Sequence, residues 1–126
     1  FLVFSLVYLS NTEETMLIED IDYTINCEKE NYAKLEGSLR LPSPNDYIKP
    51  FEVIKEKIQR TEVYSIDVSD LQFLNSSGLT ALAKLFLYAL QTKTHITIIG
   101  NKFIPWQTKS LVSLSKLWKN VKVTFE

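Results

Sequence analysis

Ile66-Asp67-Val68-Ser69-Asp70-Leu71-Gln72-Phe73-Leu74-Asn75-Ser76-Ser77-Gly78-Leu79 joins two hydrophobic periods. On its N-terminal side Val63, Ile66 and Val68 are spaced as in a short strand ending at Ser69-Asp70. On its C-terminal side Leu79, Leu82, Ala83, Phe86, Ala89 and Leu90 share one helical face, which Leu85 and Leu87 widen. Thr80, Lys84, Tyr88 and Gln91 fall opposite. So wide an apolar face predicts a helix laid against a sheet. Asn75 or Ser76 is placed to cap it, and Ser77 falls in its first turn. Two hydroxyls thus meet the positive end of a helix dipole and its unpaired amides, where a phosphorylated serine is well tolerated.

Towards the N-terminus, Ile21 to Glu28 and Tyr32 to Leu41 alternate apolar and polar residues, with Glu30-Asn31 as a hairpin tip, so two antiparallel strands should open the fold. Pro42, Pro44 and Asn45-Asp46 break the pattern. Tyr47, Phe51, Ile54 and Ile58 then recur at helical spacing, with Pro50 tolerable near the helix start. Towards the C-terminus, Ile96, Ile98 and Ile99 suit a buried strand closed by Gly100-Asn101. Pro105 starts a third helix with Leu111, Leu114 and Trp118 inward, and Val121, Val123 and Phe125 alternate as a last strand. The order β-β-α-β-α-β-α-β describes an α/β fold, a mixed β-sheet packed with amphipathic helices.

A chain of 126 residues, 45% of them hydrophobic, suffices for one core and is short for two. The domain is expected over residues 16–126, beginning at Met16, the only methionine. The apolar opening Phe1-Leu2-Val3-Phe4-Ser5-Leu6-Val7-Tyr8-Leu9 is too short to span a bilayer. It lacks a preceding basic residue and a small-residue cleavage site, so residues 1–15 read as an extension foreign to the domain. A single cysteine, Cys27, permits no internal disulfide and fits a reducing compartment, the cytoplasm, with no membrane association expected. The net charge is −1, but every carboxylate except Glu126 lies at or before Asp70. Lys84, Lys93, Lys102, Lys109, Lys116, Lys119 and Lys122 follow. Those lysines form either a solvated face or a surface for an acidic partner or a phosphate.

The usual catalytic constellations are missing. The one histidine, His95, stands at the mouth of a strand with no cysteine or activated serine near it in the pattern. Three glycines build neither a phosphate-binding loop nor a dinucleotide fingerprint. No metal-ligand spacing occurs, and Glu52 and Glu56, interleaved with Lys55 and Lys57, read as a solvated face. The expectation is a protein that is not an enzyme and takes no cofactor.

The stretch from Ile66 to Leu79 resembles, position by position, the signature D-[LV]-S-x-[LV]-x-[FY]-[LMI]-D-S-S-G-[LV] of STAS domains, the family of bacterial anti-sigma-factor antagonists. Element order agrees with that family from about Leu17 to Glu126. Phe73-Leu74-Asn75-Ser76-Ser77-Gly78, with Ile104-Pro105-Trp106-Gln107-Thr108-Lys109-Ser110-Leu111, is similar to small stand-alone STAS regulators of bacteria. The resemblance implies that Ser77 is the phosphoacceptor, Ser76 its neighbouring hydroxyl and Gly78 the residue that follows. It implies as partners an anti-sigma factor or GHKL-type serine kinase and a phosphatase of the PP2C type, with no nucleic acid. Unmodified, such a protein binds the anti-sigma factor; phosphorylated, it is released. Asn75 departs from the aspartate usual at its position and removes a charge beside the acceptor. Thr80 and Lys84 would border the partner contact, and Trp106 would join it if exposed near Ser77. The alternatives are a constitutive STAS scaffold or ligand-binding module, and a nucleic-acid binder using the lysine-rich helices.

Overall fold

The computed structural model describes the backbone of Ser5–Tyr8 and of residues 15–126, and side chains from residue 17 onward. The strands are β1 (Ser5–Tyr8), β2 (Thr15–Glu19), β3 (Tyr23–Lys29), β4 (Tyr32–Leu39), β5 (Val63–Leu74), β6 (His95–Gly100) and β7 (Val121–Phe125). They form one seven-stranded mixed sheet in sequential order. The first four strands run antiparallel, and β4 through β7 run parallel. Parallel neighbours need crossovers, supplied by α1 (Glu52–Ile58), α2 (Ser76–Gln91) and α3 (Pro105–Ser115). Right-handed crossovers that always advance one strand in the same direction keep all three helices on one face of the sheet.

Burial follows from that layering. Tyr23, Ile25 and Cys27, then Ala33 and Leu35, then Tyr64, Ile66 and Val68, then Ile96 and Ile98 point into the helical layer and are buried. Register aligns them, with Ile25 opposite Leu35, and Ala33, Ile66 and Ile98 in one row. The other face carries Thr24, Asn26, Lys34 and Thr97, all half-buried, and the exposed Lys122 and Thr124.

The hairpin tip at Glu30-Asn31 and the order of helices and strands from Tyr23 onward follow the sequence reading. Several features differ. Two strands, β1 and β2, precede the expected opening hairpin, with Leu6 opposite Ile18, so the sheet does not begin just after Met16. The rest of the expected 1–15 extension lies outside the described residues. The expected single helix through Tyr47 and Ile58 divides into a 3-10 turn, Pro44–Tyr47, and the shorter α1, because Pro50 cannot donate within a continuous helix. Strand β5 does not stop at Ser69-Asp70 but continues to Leu74. Its register against β4 slips between Lys34 and Glu36 and again between Gly37 and Ser38. Each slip adds a residue to β5, so the buried apolar positions run 64, 66, 68, 71, 74 and strict alternation is lost. At the second slip Gly37 has a φ of 93° and a Cβ there would lie 2.2 Å from the Asp22 carbonyl oxygen, so no other residue fits.

Helix α2 is rotated from its expected orientation. Its buried residues are Gly78, Ala81, Leu82, Leu85, Phe86 and Ala89, whereas Leu79, Ala83 and Leu90 are only half-buried and Leu87 is exposed. The cause is that α2 packs on two neighbours, the sheet beneath and the 3-10 turn with α1 beside it, and its buried stripe turns towards the angle between them.

Candidate functional site at the N-terminus of α2

Asn75 is the N-cap of α2, with an extended backbone, and its side-chain oxygen accepts from the Gly78 amide at 2.9 Å. The same oxygen accepts from the Tyr47 hydroxyl at 2.7 Å, and the Asn75 amide nitrogen donates to the Leu41 carbonyl at 2.9 Å. Tyr47 is fully buried and its hydroxyl accepts in turn from the Leu41 amide at 3.2 Å. Burial raises the Tyr47 pKa, so the phenol stays protonated and keeps donating. Asn75 therefore ties the end of β5, the start of α2, the segment after β4 and the 3-10 turn together. An amide suits this position better than a carboxylate, which has no proton to give the Leu41 carbonyl.

The backbone closes the cap. The Asn75 amide donates to Leu39 and its carbonyl accepts from Leu79. With Gly78 bonded to the Asn75 side chain, Ser76 and Ser77 present the remaining amides of the first turn, for which the helix offers no acceptor. Ser76 is exposed and Ser77 half-buried. Gly78 is buried because the cap is tight: a Cβ on it would lie 2.2 Å from Leu74 Cδ1 and 2.9 Å from the Tyr47 hydroxyl. Thr80 and Lys84 are both exposed. Lying three and seven residues beyond Ser77, they continue its face along α2. The motif residues Asn75, Ser76, Ser77 and Gly78 and the flanking Thr80 and Lys84 thus form one end and one outward stripe of a single helix.

Trp106 takes a different part. It is half-buried, packs against the core, and its indole N–H donates to the Leu71 carbonyl at 3.0 Å. Beside it Gln107, fully buried, donates to the carbonyls of Val68 at 2.6 Å and Leu71 at 3.1 Å and accepts from the Asn101 amide at 2.7 Å. These bonds satisfy carbonyls that the irregular stretch of β5 leaves unmatched, so Trp106 is a lid over that stretch. Sequence reasoning passed over Tyr47 and Gln107. Tyr47 looked like one more apolar position on a helix, and nothing in a lone glutamine announces that it ties β5 to the turn after β6.

A second polar cluster lies on the open face of the sheet. The Asp67 carboxylate accepts from the Tyr32 hydroxyl, from Ser69 Oγ at 2.6 Å and from the Ser69 amide at 2.9 Å, and Lys34 pairs with Asp70 at 2.8 Å. Burial would raise the Asp67 pKa, but the Ser69 and Tyr32 hydrogen bonds and the charge of Lys34 outweigh it and hold the carboxyl below the usual range. Burial and the bond to Asp67 push Tyr32 up to about 12. Cys27 is buried and burial pushes its thiol up to about 12, which leaves it a poor nucleophile. His95 is exposed at the first position of β6. Among the described residues no group of three or more His, Cys, Asp or Glu side chains is placed to hold a metal ion, and no helix is long and apolar enough to cross a membrane. No protein-family model, curated protein or solved structure matches this chain.

Proposed function

We propose that this chain is a non-enzymatic regulatory module of the STAS type, an anti-sigma-factor antagonist acting in the bacterial cytoplasm, whose binding to an anti-sigma factor or GHKL-type serine kinase is switched by phosphorylation of Ser77. The observation that carries the reading is the position of Ser77: half-buried, in the first turn of α2, beside amides the helix leaves unpaired. A phosphate there adds nearly two negative charges where the free domain accepts them at little cost. A partner closely apposed to Ser77, Thr80 and Lys84 would meet the same charge as repulsion and excess volume. Trp106, half-buried and donating to the Leu71 carbonyl, supports the β5 segment that leads into the site.

The test is intact-mass and phosphopeptide mapping of the protein purified from its host, with affinity measured for the partner that co-purifies. Phosphate on Ser77, absent in Ser77→Ala, together with at least tenfold weaker partner binding by a correctly folded Ser77→Asp, is the expected result. A second reading is a constitutive STAS scaffold, favoured by Asn75, whose three side-chain bonds give the motif a complete structural role without modification. Unmodified Ser77 under several growth states, with a partner still bound, is the outcome that selects it.

A further inference from the structure

A groove runs between α2 on one side and the 3-10 turn with α1 on the other, with a volume of about 340 Å³. Its floor is Tyr47, Phe51, Ala81 and Leu85, all buried, and its rim carries Ile48 and Leu87, which are 61% and 42% exposed. The ionisable ammonium groups that line it are Lys55 and Lys84. Lys55 Nζ lies 4.8 Å from the centre of the Tyr88 ring, and neither lysine has a carboxylate partner among the described residues. The walls are largely side chains of helices whose own backbone groups are internally bonded, so the groove presents no strand edge for an extended chain to pair with. A peptide gains no strand pairing here, so the segment that fits best is a helix, whose backbone hydrogen bonds are already made, with apolar side chains for the floor and negative charge for the two ammonium groups.

We propose that this groove is a docking site for an acidic amphipathic helix of a partner protein, with leucine-like anchors repeating at i, i+4 and i+7 and carboxylates flanking them against Lys55 and Lys84. The arrangement is a helix-in-groove interface, in which anchors supply affinity and rim charge supplies orientation and selectivity. It shares Lys84 with the contact proposed beside Ser77, but rests on the groove and does not require Ser77 to be modified. The wall that α2 supplies runs from Ala81 to Gln91, about 15 Å at 1.5 Å per residue, which matches roughly three turns of a docked helix.

The experiment displays a library of 14-residue helical peptides, with leucine fixed at i, i+4 and i+7 and glutamate or lysine varied at the flanking positions, and selects on the full chain. Enrichment of glutamate at flanking positions is the expected result. Binding of the selected peptides should fall about tenfold or more with Leu87→Asp or Ile48→Asp, both exposed positions where the fold tolerates charge. The double variant Lys55→Glu, Lys84→Glu should reverse the preference towards lysine. Absence of enrichment, enrichment without charge preference, or peptides indifferent to Leu87→Asp overturns the proposal. So does concentration-dependent dimerisation of the chain abolished by Leu87→Asp, which would make a second copy the occupant.

Discussion

The side chain of Asn75 makes three hydrogen bonds to three different segments, accepting from Gly78 and Tyr47 and donating to Leu41. At neutral pH an amide supplies both a doubly accepting oxygen and a donor in that geometry, whereas a carboxylate only accepts. Asn75→Asp keeps the cap and gains a little from the helix dipole, but sets a carboxylate oxygen against the Leu41 carbonyl. The expected cost is about 1–2 kcal/mol at neutral pH. The sign of its pH dependence follows. Repulsion from the carbonyl raises the folded-state pKa of the introduced carboxyl, so the protonated form, which can donate to Leu41, is the one the fold prefers. The loss should therefore be greatest above that raised pKa and recover on acidification; urea unfolding of the variant and the parent across pH 4–7 checks it. A deficit that grows on acidification would refute the assignment of the amide orientation. The sequence located this residue correctly as a candidate cap. The advantage of an amide there was not legible, because Leu41 is 34 residues away along the chain.

Helix α2 ends as carefully as it begins. The Thr94 amide donates to Ala89 at 2.7 Å and the Lys93 amide to Leu90 at 3.2 Å, a Schellman closure with Lys93 in the left-handed region at a φ of 61°. A lysine pays for that conformation with steric strain that glycine avoids. Lys93→Gly should raise stability by about 0.5–1 kcal/mol, measured as a higher urea midpoint with an unchanged slope. A lower midpoint would mean that the lysine side chain contributes something the closure geometry does not reveal. The start of α2 was legible from Asn75 and the serines and its extent to Gln91 from the apolar period, whereas the left-handed closure at Lys93 was not, since Thr92-Lys93-Thr94 contains no glycine to mark it. The facing direction of α2 was legible only approximately. A face that is apolar over so wide an arc fixes which half of a helix is buried, and the neighbouring 3-10 turn and α1 decide the remaining rotation.

Across the whole molecule, the helices cover one face of the sheet and a polar network crosses the other. Asp67 sits near its centre on β5, bonded to Tyr32 of β4 and to Ser69 beyond it. Its pKa is lowered in the fold, so the stability it contributes is complete above the ordinary aspartate range and is lost as pH falls through the lowered value. Asp67→Asn should cost about 1–3 kcal/mol at pH 7. The difference from the parent should shrink steadily below about pH 4 as the parent's carboxyl is protonated. Thermal or urea unfolding of both proteins at pH 7 and in acid reads this directly, and a difference that persists undiminished in acid would show that packing rather than charge makes Asp67 valuable.

The sequence by itself determined the class of the fold from Tyr23 onward and the position of the serine pair at a helix start, because hydrophobic period and capping chemistry are local properties written in neighbouring residues. Tertiary structure alone decided the added β1–β2 pair, the length and slips of β5, the break of the first helix into two pieces, the lid role of Trp106 and the struts of Asn75 and Gln107. Each of these depends on a partner dozens of residues away or on a register offset that erases alternation, and neither leaves a periodic trace in the chain.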